Sequence, residues 1–124
     1  MTQLFVLLIA VLVSSGSAMA QDCVAPGNNS AEFAKAIRLV HGLPEVRSWS
    51  SSHSFPVAFD GLGLPIARHG RCYISVGVSA NRSDRLERWQ NFYVNADNRS
   101  VLVQDVNGEV ISLKQWRLAM KPKK

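Results

Sequence analysis

The chain has 124 residues, 47% of them hydrophobic and 19% charged, with two cysteines and a formal net charge of +5. That length suits a single domain near the lower end of the usual range. Lys121, Lys123 and Lys124 supply three of the positive charges, while residues 21–120 hold eleven basic against nine acidic side chains. Such a near balance excludes the dense basic stripe of a specific nucleic-acid binder.

Leu4 to Val13 is an unbroken apolar run, followed by small polar residues and then Ala18-Met19-Ala20. An apolar core of that length before an A-x-A site is the pattern of a secretory signal, so residues 1–20 are expected to be a cleaved leader. The run is too short for a membrane span, which needs roughly 20 apolar residues. Asp22 precedes Cys23, where lipid attachment would need a small residue. The expected product is a single α+β domain over residues 21–124, periplasmic or secreted, with a short basic tail at 121–124. An even pair of cysteines in an exported chain reads as a disulfide, here Cys23 to Cys72. It is expected to tie the mature N-terminus to the first strand of the sheet.

Asn29 and Glu32 have capping-box spacing, and Phe33, Ala36, Ile37 and Val40 recur at helical period. A helix is therefore predicted from there to the stop signal Gly42 and Pro44, with Arg38 and His41 favouring its C-terminal dipole. Residues 45–54 read as a polar edge strand carrying Trp49. Residues 55–70 contain Pro56, Gly61, Gly63, Pro65 and Gly70 and read as a long loop.

The second half alternates. Residues 72–79 make a half-buried strand, Asn81–Asp84 a turn, and Leu86–Val94 a second strand. A polar turn, a third strand over Val101–Val106, the hairpin signal Asn107-Gly108 and a short strand over Glu109–Ile111 follow. Ser112 with Gln115 caps a short terminal helix holding Trp116 and Leu118. The expected architecture is α+β: an N-terminal helix packed on a curved antiparallel sheet of about four strands, closed by a short C-terminal helix.

Trp89-Gln90-Asn91-Phe92-Tyr93-Val94, Asp105-Val106-Asn107-Gly108 and Ser112-Leu113-Lys114-Gln115-Trp116-Arg117 resemble the closing third of small exported bacterial proteins, most of them uncharacterised. Those chains end in a W-x-x-F-x-V strand, a hairpin and an S-L-x-x-W-R close. Their plan is similar to cystatin-like and NTF2-like domains. The resemblance brings hairpin and core residues with it and no catalytic motif.

None of His41, His53 and His69 has a metal-ligand spacing, so neither a metal site nor a cofactor is expected. Asp60 and His69 could join a serine in a hydrolase triad, but no nucleophile-elbow sequence accompanies them. A secreted ribonuclease would need a carboxylate base, a histidine acid and an arginine clamp, for which Glu87 with Arg85 or Arg88 share a strand face. Its histidine would have to come from the loop. Arg82, Arg85, Arg88 and Arg99 otherwise read as solvated residues paired with nearby acids.

The balance of these observations is a non-enzymatic envelope binding domain, an inhibitor or immunity protein against an envelope-active enzyme. Binding residues often sit on loops held by a rigid sheet, which points to Asp60, Arg68, His69 and Arg71 as the contacts with another envelope or secreted protein. The Lys121–Lys124 tail would add weak attraction to anionic surfaces, screened by salt. A basic inhibitor of a basic lysozyme would lack electrostatic steering. The alternative is a small secreted hydrolase or ribonuclease using a loop histidine.

Overall fold

A computed structural model describes residues 23–121. The expected leader, and the tail lysines beyond Lys121, lie outside the described residues. Three helices and six strands follow in the order α1 (Ala31–His41), α2 (Pro44–Ser51), β1 (Val57–Asp60), β2 (Ile66–Arg68), β3 (Arg71–Arg82), β4 (Arg85–Asn95), β5 (Ser100–Gln104), β6 (Val110–Ser112) and α3 (Leu113–Met120). The architecture is α+β with an antiparallel sheet, as expected, but with six strands in place of about four.

The cap of α1 is Ser30, one residue beyond Asn29. Its hydroxyl accepts the Phe33 amide at 3.1 Å. Starting there turns Phe33, Ala36 and Val40 inward together. His41 packs edge-on against Phe59 at 5.8 Å, and the Gly42 amide, donating to Arg38 O, closes the helix.

Residues 45–54 are not an edge strand. Pro44 opens a second helix at its first turn, where its missing N–H costs nothing and its fixed φ is already helical. Glu45 suits the positive end of the dipole. Val46 and Trp49, three residues apart, then share the inward face, with Val46 fully buried.

The Phe55–Gly70 stretch is not a single loop either. It folds back on β3 twice, as β1 opposite Gly77–Ala80 and as β2 opposite Arg71–Tyr73. The sheet order is β1-β3-β4-β5-β6, so β3 is a central strand. Cys72, which is bridged to Cys23, lies on β3 and not on the sheet's first strand.

Ile74, Val76 and Val78 of β3, Phe92 and Val94 of β4, and Val101 and Val103 of β5 face α1, α2 and Trp116 of α3 in one core. Ser112 and Gln115 form the expected reciprocal capping box at α3. Trp116 is buried, whereas Leu118 points outward. Arg117 of α3 reaches Glu45 of α2 at 2.5 Å, tying the two short helices together.

One irregularity positions the site. The β3–β4 register runs Val78↔Gln90 and then Ser79↔Arg88, so Trp89 is an extra residue with no partner on β3. A bulge re-aims side chains, and here it turns Trp89 to the helix side. There its ring stacks on Trp49 of α2, with centroids 4.4 Å apart and planes within 3°.

Candidate functional site

The four loop residues singled out from the sequence divide between two places. Arg68, His69 and Arg71 belong to the tight β2–β3 turn, where His69 (φ 53°) and Gly70 (φ 72°) both take left-handed backbone. Two successive positive φ values are what a type I′ hairpin demands, and glycine meets that demand without strain. All three basic side chains are exposed at this tip, beside the disulfide.

Asp60 sits at the end of β1, opposite Gly77. From Gly77 back along β3 to Arg71 the strand spans roughly 20 Å at about 3.3 Å per residue. Asp60 and His69 thus form no acid–base couple. Asp60 instead pairs with Arg88 of β4: Nη1 to Oδ2 is 2.7 Å and Nη2 to Oδ1 is 3.0 Å.

The guanidinium crosses β3 over the bare α-carbon of Gly77, where an added Cβ would overlap Arg88 Nη1 outright. Burial raises the Asp60 pKa, but hydrogen bonds from Arg88 and the Leu62 amide, with the Arg88 charge, outweigh it and hold the carboxyl below its ordinary value. A lowered carboxyl stabilises the fold above the ordinary carboxylate range, and that contribution is lost as pH falls through the lowered value. Gly77→Ala is therefore expected to expel Arg88 and cost about 1 kcal/mol at neutral pH and low salt. Urea midpoints should show the deficit shrinking as pH falls below the ordinary carboxylate range, where the carboxyl of the parent protein is being protonated as well.

The histidines are also dispersed. His53 follows the C-cap of α2, its Nδ1 lying 2.7 Å from Trp49 O and 2.9 Å from Ser52 Oγ. Among the described residues, no three His, Cys, Asp or Glu side chains gather as a metal site.

Concave surface lies elsewhere, along the aromatic side chains that extend from the stacked tryptophans to Trp116. Trp89 touches Trp49 on one side and meets Phe92 and Trp116 at 6.3 and 6.4 Å on the other. This aromatic chain runs from α2 through β4 to α3.

At its α2 end opens a polar concavity of about 160 Å³, lined by Trp49, His53, Phe55, Arg82, Glu87 and Arg88 among others. Arg82 lies over the Phe55 ring at 4.4 Å, a cation–π contact. Its Nε is 2.6 Å from Glu87 Oε2, without the alignment of a hydrogen bond.

At the α3 end opens a mostly apolar concavity of about 380 Å³, formed by Gln90, Val106, Ile111, Trp116, Ala119 and Met120 with Asp105 and Asn107. A hollow of about 170 Å³ between them shares Arg88 and Trp89 with the first and Gln90, Asp105 and Val106 with the second. The three are one groove, polar and aromatic at one end and greasy at the other. Val106 is fully exposed on its rim, and Met120 is 48% exposed.

Sequence reasoning missed this groove because it placed Trp49 in a strand. The signal was present in Pro44 followed by Val46 and Trp49 at helical spacing. The unpaired position of Trp89 has no such signal. Set against protein-family models, curated proteins and solved structures, the chain matches none of them.

Proposed function

We propose that the protein is an exported binding domain that captures another envelope or secreted protein in the groove beside Trp89, in the manner of an inhibitor or immunity protein. The single observation behind this reading is the groove itself. A continuous concave surface joins stacked tryptophans and arginines to exposed Val106 and Met120. Tryptophan and arginine dominate binding energy at protein interfaces, and a partner that covers the apolar end removes it from water. The bridge between Cys23 and Cys72 fits an oxidising compartment. No helix among the described residues is long and apolar enough to cross a membrane. The basic Arg68–Arg71 turn lies away from the groove and is a secondary contact at most.

A second reading has one observation in its favour. His53, Arg82, Glu87 and Arg88 line the same concavity as Trp49, Phe55 and Trp89. A histidine acid, a carboxylate base and an arginine clamp are what phosphodiester cleavage requires. Here the histidine is His53, just past the end of α2, and not His69.

One variant set separates the readings. Capture of a protein from the envelope extract of the native cell should be retained by His53→Ala and lost in Val106→Asp and Met120→Glu, whose exposed positions leave the core untouched. Capture indifferent to Val106→Asp and Met120→Glu counts against the groove. Cleavage of an RNA oligonucleotide that disappears in both His53→Ala and Glu87→Gln would replace the binding reading with the enzymatic one.

A further inference from the structure

β4 is paired on both sides only in its second half. Its pairing with β5 begins at Phe92, opposite Val103, and among the described residues no strand pairs with Arg85–Asn91 on the side away from β3. The direction of the free backbone groups follows from one hydrogen bond. Asn81, the β3 partner of Leu86, donates its amide to Pro56 O at 2.8 Å, away from β4. Asn81 and Leu86 are therefore a non-hydrogen-bonded pair. By the alternation of an antiparallel ladder, the N–H and C=O of Leu86 point to the open side. The Leu86 side chain is itself 54% exposed.

The residues around Leu86 have a particular order of charge: Asp84, Arg85, Leu86, Glu87, Arg88. One step from Leu86 the signs are plus and minus, and two steps away they are minus and plus. An antiparallel copy of this segment, centred on Leu86, sets each of the two inner charges opposite its complement. Arg85 meets the second copy's Glu87 and Leu86 meets Leu86, while Asp84 lies in the β3–β4 turn and Arg88 stays on Asp60 across β3.

The parity is right as well. Directly opposite residues in such a ladder share a face, and Arg85 and Glu87 already do, at 3.8 Å within one chain. Registers centred one residue either way, or on Arg88, place Arg on Arg or Glu on Glu at the axis, which disfavours them.

We propose that a second copy of this chain docks edge to edge at β4, with the two-fold axis at Leu86, so that two sheets become one. Leu86 exchanges both backbone hydrogen bonds with its counterpart, and the four charges of Arg85 and Glu87 alternate in sign on the helix side. Closed two-fold contacts of this self-complementary kind are the commonest way for soluble chains to pair. The contact is a handful of residues long, below the roughly 1,200 Å² of a standard interface, so the dimer is concentration-dependent and populates at tens to hundreds of micromolar. The axis stands perpendicular to the sheet, so both tryptophan grooves open on the same side.

Sedimentation velocity on the mature, disulfide-bonded chain tests this. The wild type should move from monomer toward dimer as concentration rises, less readily in high salt. Glu87→Arg should weaken association by about tenfold or more, and Arg85→Glu combined with Glu87→Arg should restore it to within roughly threefold. Leu86→Pro should abolish it while leaving the thermal transition of the monomer in place, because the lost N–H faces away from β3. A monomer at every concentration up to about 1 mM overturns the proposal. So does a dimer indifferent to Leu86→Pro and Glu87→Arg, or a double variant that stays as dissociated as the single one.

Discussion

Replacing both bridged cysteines, Cys23→Ala with Cys72→Ala, is expected to lower folding stability by about 4 kcal/mol. The half-cystines are 49 residues apart in sequence, and a closed loop of that size removes roughly this much chain entropy from the unfolded state. A domain of this length commonly has only about 5–15 kcal/mol in total, so the loss takes a large share.

The structure gives the bridge a local purpose too. It fastens the segment ahead of α1 to β3, beside the exposed β2–β3 turn. Urea unfolding without reductant measures the difference, and a loss under about 1 kcal/mol would show that the N-terminal segment is held by other contacts. The same bridge reports on export. Protein from the native cell should have an intact mass that starts at Gln21 and lacks the two thiol hydrogens.

Phe92→Ala should cost about 3–5 kcal/mol. Phe92 is completely buried on β4 and meets Trp116 edge-to-face at 5.6 Å. Truncation loses the transfer energy of the ring and leaves a hole that rigid neighbours on β3 and β5 fill only in part. The effect should extend to the groove, because Trp89 and Trp116 both rest on that ring. A urea midpoint shift well below this range would mean that the helices close onto the sheet. Tryptophan fluorescence of the folded variant should change in the same experiment, since the packing around two of the three indoles is altered.

Legibility from sequence followed the strength of the period. β3 and β4 are long strands in an antiparallel sheet; the turn expected over Asn81–Asp84 narrows to Ser83-Asp84, with Asn81 and Arg82 still paired on β3, and Asn107-Gly108 falls between β5 and β6, which do pair. The capping box at Ser112 states its chemistry in two residues, and it forms where they stand.

α2 was hidden because Ser48, Ser50, Ser51 and Ser52 dilute its apolar face to two residues, while Pro44 serves equally well to stop one helix and start another. β1 is half-buried throughout, so Val57–Asp60 shows no alternation, and Ile66–Arg68 is too short to show any. The site was harder still. Asp60 and Arg88 are 28 residues apart, and their meeting depends on the absence of a side chain at Gly77. No local pattern records such an arrangement.

The bulge carries a further implication. Trp89 floors the groove, yet the ladder on either side would close up in unbroken register without it, since Gln90 already faces Val78 and Arg88 already faces Ser79. Insertion or loss of one codon at this point would add or delete an aromatic surface while the other residues of β3 and β4 kept their strand partners. Because Trp89 also packs against the core, its loss would cost stability along with the surface, while the strand pairing itself stayed intact.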